Sequence, residues 1–393
     1  MKKLLIIGAS ILQLPAIRKA KELGYYTIVA DYNPNAVGIK YADEYHNVST
    51  IDEAGVVELA KRVRPDGIMT LATDMPMRAV AAATTAIGLP GISYDTAVKS
   101  TDKGEMIKAF EAAGVEHPWY YIIEDESQLQ SILDRASYPC VMKPTDNAGN
   151  RGVCYIDSEN ELIEQYAYSH ENSRCGRVII EEYLEGNEVS VEIIVYQGNV
   201  HILAVTDKLT QGKPYFVEIG HAEQSMLPTD TVDAIKDLAK RAVKAVGIDN
   251  SPAHVEIMVT PTGPKMVELG SRMGGGCITT HLVPLSTGID MIQSVMNMAL
   301  GMKPDVTPKF NRGAALRHIV GLEGIIKSID GIDEAQSIEG VNEVTILKEI
   351  GDKVHYFKNG SDRIGYVIAS ANSTTEAIRM CEEALSKIKI TVG

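Results

Sequence analysis

Two neighbouring stretches decide the fold: PCVMKPTDNAGNRGV over residues 139–153 and VIIEEYLEGNEVSVEIIVY over residues 178–196. The first predicts a short buried strand that ends in Lys143, followed by a flexible polar loop with two glycines. The second predicts an apolar strand, an acidic turn at Gly186 and a further strand. Together they provide the parts that a nucleotide site needs.

Lys143 carries the functional interpretation of the first stretch. A lysine that closes an apolar strand is a poor buried residue unless an anion meets it. Gly149 and Gly152 allow the backbone to approach a ligand, and free N–H groups in such a loop suit phosphate oxygens. The order differs from that of the P-loop, because here the lysine precedes the glycines. An ordinary β-hairpin with a surface lysine also fits this loop.

The strand after Gly186 alternates between apolar and polar residues. One face carries the apolar side chains of residues 189, 191, 193 and 195, and the other carries Glu188, Ser190 and Glu192. Two carboxylates on one strand face can hold sugar hydroxyls or cations. A solvated outer face is the alternative.

Composition excludes several functional classes. The chain has 393 residues, enough for two or three domains, and a formal net charge of −14. This acidity argues against nucleic-acid binding, which needs clustered Lys and Arg. The five cysteines form no C-x-x-C pair, which suits reduced thiols in a cytoplasmic protein. No apolar run is long enough to span a membrane.

The N-terminal third alternates strands and helices. Strands at residues 3–7, 27–30 and 67–71, with helices between and after them, predict a parallel sheet covered by helices. The turn after the first strand, Gly8-Ala9-Ser10-Ile11-Leu12-Gln13, lacks the glycines of a dinucleotide site. We therefore interpret Asp31, at the end of the second strand, as a turn residue.

The most informative spacing in the chain is that of two glutamates on neighbouring predicted strands. Residues 254–259 and 265–269 predict two strands joined by a five-residue hairpin loop, residues 260–264. Pairing Val259 with Lys265 puts Glu256 opposite Glu268, where two carboxylates repel. A divalent cation such as Mg²⁺ would turn this repulsion into a ligand set, whereas a rim pair pointing to water is the alternative. Arg272, in the glycine-rich loop that follows, would neutralise charge on a metal-bound phosphate.

Three further side chains complete the expectations drawn from the residues. Lys103 lies at the predicted start of a helix, where a positive charge is unfavourable for the helix dipole, which indicates another role. Lys208 and His221 border the segment of residues 207–223, which we expect to face the substrate. Both are expected to be surface residues.

In this order and spacing, Lys103, Lys143, the turn of residues 181–188 and the set of Glu256, Glu268 and Arg272 resemble the ATP-grasp enzymes. The chain is similar to the branch that contains biotin carboxylase, the glycinamide ribonucleotide enzymes and amino-acid ligases. The resemblance covers essentially the whole chain and implies a fold of mixed α/β and α+β class. It implies a Rossmann-like pre-ATP-grasp domain at residues 1–97, an ATP-grasp domain at residues 98–303 with a lid subdomain at about 117–184, and a small C-terminal α+β domain at residues 304–393.

The resemblance also implies roles in nucleotide binding. Lys103 and Lys143 would contact the phosphates, with Lys143 near the adenine as well. The loop of residues 145–153 would be the phosphate lid. The full set of implied ATP-contacting residues is Lys103, Lys143, Gly149, Arg151, Gly152, Val153, Glu181 (adenine amino group), Tyr183 and Leu184 (adenine ring, by backbone), and Glu188 (ribose hydroxyls).

For the metal, the resemblance implies that Glu256 and Glu268 bind Mg²⁺, with Mn²⁺ as a substitute, and that Arg272 is the catalytic residue. One departure concerns the family pattern Glu-x-Asn-x-Arg, whose Asn is a third metal ligand. Gly270 stands at that place here, which leaves the coordination of a second metal to water or in doubt.

The implied activity is that of an ATP-dependent, ADP-forming carboxylate–amine ligase, acting through an acyl phosphate on an amino acid or another small carboxylate. Its partners would be small-molecule acids and amines, with no nucleic acid and no membrane, and a homodimer is a family-level expectation. Alternatives within enzymes are a phosphoribosylglycinamide synthetase-like enzyme of purine biosynthesis and a bicarbonate-activating subunit like carbamoyl-phosphate synthetase or biotin carboxylase. Outside ligase chemistry, the alternatives are a nucleotide-sensing module with a decayed site and a dehydrogenase on the N-terminal sheet.

Overall fold

The structure is a computed structural model that describes residues 1–149, 151–213 and 215–393. Its strands are β1 Lys3–Ile7, β2 Tyr26–Ala30, β3 Glu44–His46, β4 Gly67–Met69, β5 Tyr120–Ile123, β6 Cys140–Pro144, β7 Cys154–Ile156, β8 Val178–Glu182, β9 Asn187–Tyr196, β10 Asn199–Thr210, β11 Glu218–Glu223, β12 Ser251–Thr260, β13 Gly263–Gly270, β14 Gly313–Ile319, β15 Gly324–Asp330, β16 Val341–Ile346, β17 Lys353–Val354, β18 Gly365–Ala371 and β19 Lys389–Val392. Its helices are α1 Leu14–Glu22, α2 Glu53–Val63, α3 Met77–Ile87, α4 Tyr94–Lys99, α5 Lys103–Ala113, α6 Leu129–Leu133, α7 Glu159–Glu171, α8 Thr229–Ala245, α9 Val283–Thr287, α10 Met291–Ala299, α11 Ile332–Gln336 and α12 Thr374–Lys387. In the part of the chain that the structure describes, no helix is both long enough and apolar enough to cross a membrane.

The predicted N-terminal parallel sheet is confirmed. Its strand order is β3-β2-β1-β4, and all its pairings are parallel. One face packs on α2 and α3, and the other packs on α1 and on α10, which comes from much later in the chain. Asp31 accepts hydrogen bonds from the backbone N–H groups of Ala9 and Asn33 at 2.8 and 2.9 Å, so it holds the turn together, as predicted.

A second, smaller sheet is antiparallel, with the order β5-β8-β6-β7. It spans residues 120–182, inside the range predicted for the lid subdomain. Helices α6 and α7 cover one of its faces through a compact apolar core that includes Leu129, Ile132 and Leu162. Strand β6, which carries Lys143 near its end, is an interior strand that pairs with β8 on one side and β7 on the other.

The largest sheet has eight strands in the order β13-β12-β9-β10-β11-β14-β18-β16. Strand β14 pairs with β11 antiparallel, so the C-terminal strands extend the sheet of the central region. The sheet therefore continues across residue 303, where a domain boundary is predicted from the sequence. A three-stranded sheet, β17-β15-β19, lies beside it. The domain limits at 97, 303 and 117–184 stay predictions.

The two faces of the eight-stranded sheet differ in chemistry. On β9, Val189, Val191 and Ile193 pack against α8 in an apolar core. Ser190 and Glu192, on the opposite face, have no exposed surface at all. A solvated outer face is therefore the wrong interpretation of this strand, because the facing segments bury its polar side. The result is a buried polar face, which we define by the buried polar side chains of Ser190, Glu192, Thr206, His221, Glu223 and His254 on β9 to β12 and by the neighbouring side chains of this face, Glu256 and Glu268 on β12 and β13 and His318 on β14.

In the hairpin between β12 and β13, the predicted loop length is wrong, but the predicted opposition of Glu256 and Glu268 is confirmed. The loop is the two-residue connection of residues 261–262, so Val259 pairs with Pro264 rather than with Lys265. A bulge between Glu256 and Ile257 then shifts the pairing by one residue. Glu256 consequently lies opposite Glu268, as predicted.

Candidate active site

Lys143 is buried and meets an anion from the chain itself. The side chain is 10% exposed, and its Nζ lies 2.5 Å from Oε2 of Glu181 on the neighbouring strand β8. Antiparallel pairing of β6 and β8 brings the two side chains together. The alternative of a surface lysine is therefore wrong, and two of the residues predicted to contact ATP form one ion pair.

The loop after Lys143 has the backbone freedom that the sequence predicts. Gly149 and Gly152 have φ values of +70° and +78°. A Cβ atom on Gly152 would lie 2.7 Å from side-chain atoms of Asn172 and Pro144, so only glycine fits there. Arg151 and Val153 are exposed, and Asn150 lies outside the described residues. The phosphate-lid role of this loop stays a prediction.

Residues Tyr183 and Leu184 lie in the connection between β8 and β9. The ring of Tyr183 packs edge-on against that of Tyr155, with 4.9 Å between centroids. Gly186, two residues further on, has φ +157°, and a Cβ atom there would lie 2.0 Å from the carbonyl oxygen of Val259. This close approach fixes the connection, which carries Tyr183 and Leu184, against β12.

Lys103 is the first residue of α5, which Asp102 caps by accepting a hydrogen bond from the N–H of Glu105. Its Nζ lies 3.0 Å from Oε2 of Glu268 and donates to the carbonyl oxygen of Asn147 at 3.0 Å. Burial alone would lower the pKa of Lys103, but the charge and hydrogen bond of Glu268, together with the charges of Asp74 and Glu181, raise it above its usual value. The sequence hint that this lysine has a role outside its helix is thereby explained, since it connects β13 to the loop after β6.

A cavity of about 260 Å³ opens beside this pair. Lys103 and Glu268 line it together with Asp74 and Asp146, so it joins the N-terminal region to the central sheet. Ion pairs and a cavity of this kind are typical of a site for a charged small molecule.

Glu256 and Glu268 meet the chemical demands of Mg²⁺. They are directly opposite on adjacent strands, and both side chains are only partly buried, so a metal and a phosphate can reach them. No group of three or more His, Cys, Asp or Glu side chains with metal-binding geometry occurs among the described residues. Mg²⁺ commonly takes one or two carboxylates and completes its shell with phosphate oxygens and water, so a pair is sufficient.

Lys208 corrects a sequence prediction. Its side chain is only 3% exposed, and its Nζ lies 2.5, 3.0 and 3.3 Å from carboxylate oxygens of Glu188, Glu218 and Glu256. Burial would raise the pKa of Glu218, but the Lys208 charge lowers it to about 2. The surface interpretation failed because β10 runs to Thr210 and pairs with β11, which carries Lys208 into the sheet.

His254 is a site residue that sequence reasoning missed. Its two ring nitrogens lie 2.6 Å from Oε1 of Glu192 and 3.0 Å from Oε1 of Glu256. Burial alone would lower the pKa of this imidazole, but the charge and the hydrogen bond of Glu192 raise it, to about 9. The sequence did contain a signal: His254 and Glu256 are two residues apart on one predicted strand, so their side chains belong to the same face of the sheet.

A second missed feature is a cluster of polar groups without partners. The ring nitrogens of His221 and His318 and the Nε of Arg363 have no hydrogen-bond partner in the described part of the chain. His221 has no exposed surface, so its predicted surface position is wrong. Burial lowers the pKa of His221 to about 4 and that of His318 to about 3, so both rings are neutral. A Cβ atom on Gly276 would lie 3.0 Å from Nε2 of His221, so the absence of a side chain there keeps the cluster open.

Arg272 is held by a residue of the N-terminal region. Its Nε and one terminal nitrogen donate to the two carboxylate oxygens of Asp74 at 2.8 and 2.9 Å. Burial would lower the pKa of this guanidinium, but the Asp74 charge raises it above its usual range.

Comparisons with known proteins agree with this geometry. Residues 136–281 match an ATP-grasp domain, and residues 318–393 match the L-amino acid ligase C-terminal domain 2. The chain is 27% identical to the uncharacterized protein y4rH of Sinorhizobium fredii and 24% identical to the alanine–anticapsin ligase of Bacillus subtilis, over 78% and 74% of its length. It spans 64% and 66% of those two relatives. It is also 25% identical to the formate-dependent phosphoribosylglycinamide formyltransferase of Sulfurisphaera tokodaii, over 99% of this chain and 97% of that protein.

Two solved structures match over essentially the whole length. An L-amino acid ligase from Bacillus licheniformis superimposes with a TM-score of 0.85 at 25% identity, covering 100% of this chain and 99% of that one. A phosphoribosylglycinamide synthetase from Anaerococcus prevotii superimposes with a TM-score of 0.81 at 26% identity, covering all of both chains. In fold and in the residues of the site, the chain is similar to ATP-dependent carboxylate–amine ligases. The chain thus contains an ATP-grasp domain, and its C-terminal residues match a domain of the L-amino acid ligases.

Proposed function

We propose that this enzyme activates the carboxylate of one amino acid with ATP and joins it to the amino group of a second small molecule. The observation that carries the proposal is the continuity of the buried polar face. It leads from Glu268 and Glu256 on β13 and β12 to the side chains of His221, His318 and Arg363, whose buried nitrogens lack hydrogen-bond partners in the part of the chain that the structure describes. A phosphate-handling end and an open polar end on one sheet suit a ligase with a polar, charged substrate.

At the nucleotide end, the roles drawn from the resemblance are kept as proposals. Lys103 and Lys143 would contact phosphates, and the lid loop with Gly149, Arg151, Gly152 and Val153 would cover them. Glu181, Tyr183 and Leu184 would hold the adenine, and Glu188 the ribose. The two lysines support this assignment because each forms an ion pair with a carboxylate. A phosphate group can replace that carboxylate or bind the lysine beside it.

Glu256 and Glu268 would hold Mg²⁺, or Mn²⁺ in its place. When bound, the metal and the nucleotide supply the γ-phosphoryl group and neutralise its charge. His254 keeps the Glu256 carboxylate in place through its 3.0 Å contact, and Lys103 keeps that of Glu268 in place through its own. Outer contacts of this kind fix the ligands before the metal arrives.

The proposed reaction has two steps. A carboxylate oxygen of the acid bonds to the γ-phosphorus while the bond to ADP breaks, which gives an acyl phosphate. The amine then bonds to the carbonyl carbon, the carbon–oxygen bond to phosphate breaks, and the amine loses a proton. Arg272 would stabilise the charge of the transferring group, and the lid would exclude water, which otherwise hydrolyses the acyl phosphate.

The open polar end suits amino acids because it offers both charges. Among the described residues, the Nε of Arg363 has no hydrogen-bond partner, so it can donate to a substrate carboxylate. Glu218, which lies 3.0 Å from Lys208 and 3.5 Å from Arg363, supplies the negative charge that attracts an ammonium group. The neutral rings of His221 and His318 can each donate one hydrogen bond and accept another.

A phosphoribosylglycinamide-type activity is the second candidate. The observation that favours it is the match to the formate-dependent formyltransferase, which covers 97% of that protein and so exceeds the coverage of the alanine–anticapsin ligase. Arg363 and the two imidazoles would then meet a phosphate instead of a carboxylate. Bicarbonate-activating enzymes share the fold, at 20% identity or less among the matched carboxylases.

The deciding experiment measures ADP release from Mg-ATP with pools of amino acids, and separately with glycinamide ribonucleotide and formate. Glu268→Gln is the inactive control. Amino-acid-dependent release by the wild type alone supports the proposal, and dividing the pool identifies the acid. Release only with the ribonucleotide and formate would contradict it in favour of the second candidate.

Cellular context and assembly extend the proposal. Free cysteines, among them the buried Cys140, Cys154 and Cys381, suit a reducing cytoplasm. A homodimer is proposed from the family expectation and from one matched biotin carboxylase domain that is described as a dimer. Light scattering of the purified protein tests it: a mass of about twice the chain's 42.7 kDa supports the dimer, and 42.7 kDa itself contradicts it.

A further inference from the structure

Gly270 occupies the position where the Glu-x-Asn-x-Arg pattern carries its asparagine. A Cβ atom built on Gly270 would lie 2.3 Å from Oδ1 of Asp74. No side chain fits at that distance. The space that an asparagine would take is thus filled by a carboxylate from the N-terminal region, almost 200 residues earlier in the chain.

The same carboxylate binds Arg272 through both oxygens, at 2.8 and 2.9 Å. Two parallel charge-assisted bonds fix the plane of a guanidinium as well as its place. The side chains of Arg272 and Asp74 are 12% and 22% exposed, so water competes little for either group. Asp74 therefore restricts the orientation of Arg272 more than a single surface ion pair would.

The backbone before Asp74 is held in an unusual conformation. Ala72 has φ +59°, in the left-handed region that alanine rarely adopts. A Cβ atom on Gly275 would contact the Ala72 side chain at 3.8 Å, so the two loops lie against each other. The hydroxyls of Ser100 and Ser271 are also 2.7 Å apart. The first contact sets the loop that carries Asp74 against the loop that carries Arg272, and the second fixes the Arg272 loop to the end of α4.

We propose that Asp74 is the positioning residue of Arg272 and that Gly270 is needed because the Asp74 carboxylate occupies its side-chain space. The pair sets the guanidinium at the end of β13, beside the cavity that Asp74 shares with Lys103 and Glu268. The catalytic part of this inference rests on the proposed role of Arg272, whereas the contact itself does not.

The test uses Asp74→Ala, Gly270→Ala, the double variant and a control, Asp95→Ala, which removes an exposed carboxylate that pairs with Lys99. The first readout is the equilibrium constant of unfolding. In the wild-type background, Gly270→Ala should shift this constant at least tenfold toward the unfolded state. In the Asp74→Ala background, the same substitution should cause a shift at least fivefold smaller, because the new Cβ atom no longer meets the Asp74 carboxylate. Equal shifts in both backgrounds would overturn the spatial part.

The second readout is the rate at which an arginine-specific dicarbonyl reagent modifies Arg272, followed by peptide mass spectrometry. Asp74→Ala should raise this rate at least tenfold, and Asp95→Ala should leave it unchanged. A conservative Asp74→Glu variant should restore part of the protection. An unchanged rate in Asp74→Ala would show that Asp74 does not hold the guanidinium.

Steady-state kinetics form the third readout. Asp74→Ala should lower kcat at least tenfold with less than a twofold change in KM for ATP, because Arg272 acts on the transferring group. An unchanged kcat would overturn the catalytic part. If the wild type has no ligase activity, the proposed function fails, but the unfolding and modification results still decide the contact.

Discussion

Replacing Lys208 by methionine tests the buried polar face most severely. The lysine is 3% exposed and lies within 3.3 Å of three carboxylates, those of Glu188, Glu218 and Glu256. Methionine has a similar length but no charge, so the variant keeps most of the packing and removes the cation that the three carboxylates share. Lys208→Met therefore isolates the charge.

The expected magnitude follows from burial. At an effective dielectric constant near 20, a pair of charges about 3 Å apart attracts by roughly 5 kcal/mol, but desolvation offsets much of this. Removing one partner of a buried pair typically costs about 3–5 kcal/mol. Domains have about 5–15 kcal/mol of total stability, so the variant should fold but be strongly destabilised at pH 8.

The loss should depend on pH in a definite direction. In the wild type, Lys208 lowers the pKa of Glu218 to about 2, so that pair contributes stability above pH 4.5 that is lost as the pH falls toward 2. Without the lysine, burial raises the pKa values of the carboxyls above their unfolded values. The folded variant then takes up protons as the pH falls, so its deficit relative to the wild type should shrink between pH 8 and pH 6.

The assay is urea unfolding of the protein without nucleotide or metal, at both pH values. Lys99→Met is the matched control, because Lys99 pairs with Asp95 on an exposed helix surface, and such pairs contribute at most about 1 kcal/mol. A Lys208→Met deficit below about 1 kcal/mol, or one that is the same at pH 8 and pH 6, would refute the reasoning.

Two further substitutions have expected outcomes. Glu223 is fully buried, and burial raises its pKa to about 8, so the wild type loses stability as the pH rises from 4.5 to about 8. Glu223→Gln removes this dependence on pH. In thermal or urea unfolding, the variant should be more stable than the wild type by roughly 2–3 kcal/mol at pH 7 and nearly equal to it at pH 4.5. Equal stability of the two proteins at both pH values would contradict the raised pKa. Gly186→Ala should cost about 3 kcal/mol because its Cβ would lie 2.0 Å from the carbonyl oxygen of Val259, whereas Gly198→Ala, with no atom within 4 Å, should cost only about 1 kcal/mol in the same unfolding assay. Similar costs at the two glycines would mean that the Gly186 connection is not fixed against β12.

Local patterns predicted much of the framework. The alternation of strands and helices gave the N-terminal parallel sheet, since covered parallel strands read as short apolar runs. The opposition of Glu256 and Glu268 was also predicted correctly. That success depended on two errors that cancel, because the loop is shorter than expected and the bulge at Glu256 restores the pairing. A bulge changes register without leaving a clear mark in the sequence.

The burial of Lys208 and His221 was beyond local reasoning. A lysine is normally exposed, and it becomes buried here only because carboxylates from β9, β11 and β12 surround it. Strands far apart in sequence supply those groups, and their order in the sheet is not written in any one segment. The same holds for Asp74 and Arg272, which meet only once the N-terminal sheet packs on the central one.

The C-terminal part shows the same limit on a larger scale. Residues 304–393 read as a small separate α+β unit, yet β14 pairs with β11 and makes the large sheet continuous. His318 and Arg363 reach the site through this pairing. Sequence periodicity identifies a strand, but not the neighbour with which it pairs.

The most direct test of the central claim, carboxylate activation by ATP, follows oxygen atoms. The acid that stimulates ADP release is labelled with ¹⁸O in its carboxylate, and the phosphate product is analysed by mass spectrometry. Attack of the carboxylate on the γ-phosphorus predicts that one labelled oxygen appears in phosphate for each amide formed, and that Glu268→Gln forms neither product. Amide formation with unlabelled phosphate would contradict an acyl phosphate and with it the mechanism proposed for this site.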